Sequence, residues 1–286
     1  MKVKGALLIS HLDVLLLPFM ELVAVCLLAG LVGAFAFLDR KIFFAESVTH
    51  GTFPGGILGV VIAATLGASH EQMSLALFVG AFLFCLPLGG LMRFIGGIPG
   101  ISSQASAGIV LTFGFAMGYF LYRWFSPLPI QIQSFLTGSI LTVNSWDVAS
   151  AGAGLVVVLI IVAVWGKDLV FKSYDPIDSL TRGMNTRLLE GLSIAMVIGA
   201  IVLLIPAVGT VLSIALFAAP AAGLAPLVKS WPHFMVASPV AALGIGMVGF
   251  ACGVALNLSV GGMIAIVAGI FFATTRLIVW ARCAQG

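Results

Sequence analysis

Charge is what this sequence has least of. Only 8% of its 286 residues are Asp, Glu, Lys or Arg, where a soluble domain carries roughly 25%. That scarcity excludes water as the main solvent of the chain. The surplus of positive charge is only +3, too small to argue for a nucleic-acid partner. Cysteine is sparse as well. Cys26, Cys85, Cys252 and Cys283 are scattered with no CxxC, which excludes a disulfide framework and a thiolate metal site. Enzyme signatures are missing too: there is no HExxH, no GxSxG and no GxxxxGK[ST] phosphate loop. Gly166-Lys167-Asp168 comes nearest to the last, but without its glycine frame. Any work driven by ATP therefore calls for an ATPase on another polypeptide. The start, MKVKGALLISHLDVLLLP, has the basic flank of a signal peptide, but His11 and Asp13 interrupt its apolar core, so cleavage is not expected.

What is abundant is apolar sequence. The chain is 61% hydrophobic, with a mean hydropathy of +1.22. Runs long enough to cross a bilayer occur at about 14–38, 42–68, 73–92, 105–122, 148–166, 189–206, 234–256 and 260–280. A shorter run, 207–228, is interrupted by Pro220 and Pro226. The expected fold is an all-α polytopic membrane protein with eight spans, or nine if 207–228 crosses. All of 1–286 forms one transmembrane domain, since no charged stretch exceeds the 167–190 loop. Residues 128–147 are too polar to face lipid and suit an interfacial or re-entrant piece covered by protein.

Lys and Arg set the orientation. With the N-terminus outside and 207–228 returning inward, Arg40, Lys41, Arg93, Lys167, Lys172, Arg182, Arg187, Lys229, Arg276 and Arg282 all lie on the cytoplasmic side. Only Lys2, Lys4 and Arg123 remain outside. The C-terminus is then cytoplasmic. Two GxxxG stretches, GFAMG at 114–118 and GFACG at 249–253, are expected to pack helices within the bundle rather than to form a dimer seam.

Against this background each polar group needs a reason. Glu21 and Glu190 open spans, where a carboxylate suits the positive end of a helix. His11, His70 and His233 lie at edges or in loops, where water satisfies them. Glu46 and His50 differ. They stand four apart inside the apolar stretch from Ile42 to Ala68, so on a helix both fall on one face within reach of one ion. Pro54 has no N–H, which takes the helical hydrogen bond from the His50 carbonyl, and Gly51 and Gly55 make a helix break there inexpensive. Carboxylate, imidazole and carbonyl together suit Zn(II), Mn(II) or Fe(II) better than Cu(I). Two side chains do not fill a coordination shell, so other helices, a second copy or water must contribute. A solvated Glu–His pair at the cytoplasmic mouth of the second span accounts for the spacing equally well.

Four stretches stand in a telling order: ESVTHGTFPGG at 46–56, SFLTGSILTVNSWD at 134–147, YDPIDSLTRGM at 174–184 and AVGTVLSIALFAAPAAGLAPLV at 207–228. With them the chain, from about Pro18 to Ile278, resembles the membrane permease of ATP-binding-cassette importers for zinc, manganese or iron. More distantly it is similar to the vitamin B12 and siderophore importer permeases, an all-helical fold that dimerises. The resemblance implies that Glu46 and His50 are the metal-handling pair and that the ion crosses between two permease copies. It also implies that the segment of about 220–231, with Pro220, Gly223, Leu224 and Lys229, grips the ATPase. The chain departs from the family at two places: aspartate is usual at Glu46, and serine at Thr49.

The function expected is that of a permease subunit in an ATP-driven importer of a divalent transition metal, in the bacterial cytoplasmic membrane. It is not itself an enzyme and holds no permanent cofactor; the metal ion is its cargo. Its implied partners are a second copy of itself, two cytoplasmic ATP-binding subunits, an extracytoplasmic metal-binding protein and membrane lipid. The alternatives are an ion-coupled secondary transporter with Glu46 as proton carrier, and an intramembrane enzyme, for which a nucleophile and a three-ligand site are missing.

Overall fold

A computed structural model describes residues 2–128, 138 and 140–284. The described part is helical throughout: α1 (Lys2–Leu38), α2 (Ile42–Thr65), α3 (His70–Gly96), α4 (Ser103–Trp124), a 3-10 turn (Ile140–Thr142), α5 (Ser145–Tyr174), α6 (Pro176–Thr181), α7 (Thr186–Val208), α8 (Thr210–Leu224), α9 (Trp231–Ala255) and α10 (Val260–Cys283). Eight of these helices hold stretches long and apolar enough to cross a membrane, matching the eight runs expected. Half of the polar segment 128–147 lies outside the described residues; its far end forms the 3-10 turn and the start of α5.

Helix α8 is the short ninth. Its 15 residues rise about 22 Å, less than a bilayer core. It still carries the chain back. Phe234, at the start of α9, meets Phe37, near the end of α1, with ring centroids 6.2 Å apart. The α1–α2 turn and the loop after α8 therefore share one end of the bundle, where Arg40, Lys41, Lys172 and Lys229 gather.

Helix α1 is the central post. It packs on α5, α7, α8 and α9, while α2 packs chiefly on α3 and α4. Without a hydrophobic drive between helices in lipid, close packing depends on small residues. A methyl group on Gly33 would strike the Phe217 carbonyl of α8, and one on Gly30 would strike Pro239 of α9. The Ser238 hydroxyl of α9 donates to the Gly30 carbonyl at 2.9 Å, so even the polar contact depends on that approach. Both GxxxG stretches are absorbed inside the chain, as expected. Gly114 and Gly118 receive Gly51 and Phe53 of α2, and Gly249 and Gly253 receive Ile264 and Val260 of α10.

Two carboxylates sit differently from the sequence reading. Glu21 does not open a helix, because α1 runs back through Pro18 to Lys2. It is fully buried, and neither carboxylate oxygen has a hydrogen-bond partner among the described residues. Among the described residues the charge near enough to act on it is that of Asp147, itself acidic. An unpartnered buried polar group costs about 1–3 kcal/mol, more when charged. Glu21→Gln, which keeps the shape and removes the charge, is thus expected to raise the thermal unfolding midpoint of the purified protein. A lowered midpoint would mean that the carboxylate has a partner.

Glu190 does lie near the start of α7, but its partners are lysines of two other elements. Lys41 Nζ stands 2.8 Å from Glu190 Oε1 and 2.6 Å from Asp39 Oδ2. Lys172 of α5 binds Glu190 and, at 3.3 Å, Asp39. The Ser193 hydroxyl donates to Asp39 Oδ2 at 2.8 Å. Two cations and two anions close on each other, tying the α1–α2 turn to α5 and α7.

Candidate functional site

Most polar side chains of α2 are spent on backbone. The Ser47 hydroxyl bonds the Ala107 carbonyl of α4 at 2.8 Å, Thr49 bonds the Ala45 carbonyl at 2.7 Å, and Thr52 bonds the Thr49 carbonyl at 2.6 Å. A hydroxyl satisfied in this way does not need a ligand. Glu46 and His50 remain. Both are half-buried, and Nδ1 of His50 is buried without a hydrogen-bond partner. The Glu46 carboxylate is near enough for its charge to act on the His50 ring. The expected pairing on one helix face is therefore present.

Packing fixes the imidazole. The His50 ring meets Phe115 of α4 edge-on at 5.7 Å, and Phe115 stacks on Phe53 at 6.0 Å. Gly51 admits Leu88 of α3 on one side and Gly114 of α4 on the other, which lets both helices close on the turn carrying His50.

The helix break expected at Gly51, Pro54 and Gly55 is absent: α2 is continuous from Ile42 to Thr65. Pro54 still leaves the His50 carbonyl without an N–H at residue 54. The glycines serve contact instead of unwinding. A methyl group on Gly55 would strike the Gly80 carbonyl and Phe84 of α3, and Gly55 and Pro54 are both buried. Tight packing by α3 and α4 on both sides holds the helical path through the proline.

Among the described residues no three His, Cys, Asp or Glu side chains converge on a point that could hold a metal ion.

The proposed ATPase-coupling residues divide in two. Pro220 and Gly223 are buried in the last turns of α8, where Gly223 faces Thr275 and Phe271 of α10. Leu224 is half-buried, while Pro226 and Lys229 in the following loop are exposed. A second polypeptide can reach the loop but not Pro220 or Gly223, because the helix-interior residues are already packed. Sequence reasoning missed the role of Asp39, Lys172 and Ser193; the two carboxylates and two lysines near predicted span ends were the only signal.

With this geometry in place, comparison with known proteins decides the family. A model described as the ABC 3 transport family matches residues 11–278. The chain belongs to the ABC 3 transport family. As a member it is a multi-pass membrane transport protein, and not an enzyme. The manganese import system permease protein ScaB of Streptococcus parasanguinis is 27% identical over 252 residues, covering 87% of this chain and 85% of that protein. The zinc transport system membrane protein TroC of Treponema pallidum is 29% identical over 197 residues, covering 68% of this chain and 64% of that one. The solved structure of PsaBC from Streptococcus pneumoniae in complex with Fab matches 96% of this chain and 95% of that chain, with a TM-score of 0.80 at 22% identity. A metal-chelate type ABC transporter in an inward-facing conformation shares the fold at a TM-score of 0.63 and 18% identity. The fold expected from the sequence is the one these structures share.

Proposed function

We propose that this chain is the permease subunit of an ATP-driven importer that moves a divalent transition metal ion inward, with Glu46 and His50 handling the ion. The carrying observation is the half-buried pair on α2, whose imidazole Nδ1 lacks a partner while the neighbouring hydroxyls are satisfied. Relatives whose names specify manganese or zinc support the choice of cargo. A pair of donors from one chain also favours a second permease copy supplying the rest, across the interface through which the ion passes. Two ATP-binding subunits take the loop carrying Pro226 and Lys229, and an external metal-binding protein delivers the ion. The N-terminus lies outside and the C-terminus in the cytoplasm, which puts the basic end of the bundle inside.

The site must bind well enough to accept the ion and weakly enough to release it. Protons compete for the imidazole, because a metal ligand histidine must be neutral. Uptake by vesicles containing the permease and its ATPase is therefore expected to require internal ATP and to weaken as the external medium is acidified. A proton-coupled carrier shows the opposite sign: uptake quickens in external acid and needs no ATP. Observing that second pattern would overturn the importer and make Glu46 a proton carrier. Competition among Mn, Zn and Fe(II) in the same vesicles identifies the cargo.

A further inference from the structure

A cavity of about 610 Å³ opens at the basic end of the bundle. Its walls come from the α1–α2 turn, the starts of α2, α4 and α9, the end of α5 and the loop after α8. Arg40 and Lys229 line it, and neither has an ion-pair partner among the described residues. Much of the rest is apolar or aromatic, with Phe43 and Phe234 from span ends and Tyr174 and Trp231 at the rim.

Arg40 is presented to this cavity by its neighbours. Asp39 and Lys41 both turn inward into the ion network with Lys172 and Glu190. The residue between them takes the left-handed conformation, φ 55°, which side chains other than Gly, Asn and Asp rarely adopt. The starts of α2 and α9 add to the positive field, since neither has a side-chain cap on its first-turn N–H groups.

We propose that this cavity binds the headgroup of an anionic phospholipid, with the acyl chains lying along its apolar walls. Each part of the cavity bears on the choice of occupant. Two unpaired cations repel a divalent metal ion, so this is not a resting place for cargo. A small soluble anion would leave the aromatic and aliphatic walls unused. A lipid uses both, and basic pockets between spans flanked by interfacial aromatics are where anionic headgroups bind. The loop carrying Lys229 also faces the ATPase in the function proposed above. An acidic segment of that subunit is therefore the competing occupant.

The test uses the purified full-length chain without ATPase or metal, so its outcome is independent of the transport reading. Native mass spectrometry would compare retention of phosphatidylglycerol and phosphatidylcholine with the same acyl chains. We expect phosphatidylglycerol to be preferred, and Arg40→Asn to cut that preference about five-fold, the worth of one basic residue near an anionic surface. Asn tolerates the left-handed turn, so the variant removes charge without straining the backbone. Lys229→Gln should give a similar loss. Equal retention of the two lipids, or a preference untouched by both variants, overturns the proposal. So does a preference that free glycerol phosphate abolishes at low concentration, since the walls would then contribute nothing. In a separate arm with the ATPase added back, cross-linking of one of its acidic segments into the cavity, with no lipid retained, would assign the cavity to that subunit instead.

Discussion

Replacing either Glu46 or His50 by alanine is expected to reduce ATP-driven metal uptake to the level of empty vesicles, with the protein still folded in the membrane. The two side chains are the donors on α2 that the fold leaves free. Ser47, Thr49 and Thr52 are bound to carbonyls, and His50 Nδ1 is buried without a partner. Losing one of two donors leaves a single group per chain, too little to compete with hydration of the ion. Folding should survive, because neither side chain makes a hydrogen bond or ion pair that the bundle depends on among the described residues. Glu46→Asp is the informative control. It shortens the reach by one methylene while keeping the charge, and aspartate is the family's usual residue. Near-parental uptake with altered preference among Mn, Zn and Fe(II) would show that reach tunes selectivity. Parental uptake by either alanine variant would remove the pair from the pathway.

The crossing helices were legible because lipid imposes one rule on every span: about twenty apolar residues with few charges. The eight runs differ from the structure mainly at their ends, where caps and loop contacts decide. The Glu46–His50 pair was legible for the same reason, since an ionisable pair in an apolar run is rare. The path of α2 through Pro54 was not. Proline and glycine are compatible with both a broken helix and a tightly packed one, and the choice rests on Gly80, Phe84 and Gly114, which are distant in sequence. The burial of Glu21 was hidden by reading it as the opening of a span, whereas α1 runs back to Lys2. Which residues of the proposed coupling segment are accessible was not legible either, because it depends on α10 covering Gly223.

The ion network is the second place where a single substitution should have a large effect. Lys172 and Asp39 have side chains only 10% and 13% exposed, and Lys41 is similarly enclosed at 14%. Lys172→Met removes one cation and leaves two carboxylates facing one lysine. Breaking a buried pair by removing one partner costs about 3–5 kcal/mol, because the surviving charge keeps its desolvation penalty. Glu190 is 31% exposed, so water relieves part of the strain and the lower end of that range is expected. The measurement is thermal unfolding of the purified protein, where the midpoint should fall clearly. Adding Glu190→Gln to Lys172→Met restores charge balance, leaving Lys41 with Asp39 at 2.6 Å. The double variant should therefore be more stable than Lys172→Met alone, a non-additivity that a simple loss of packing would not produce. Additive losses would mean that Lys172 stabilises α5 through its aliphatic stem. A full rescue would identify charge balance as what holds the α1–α2 turn, and with it the start of the helix carrying Glu46 and His50, against α5 and α7.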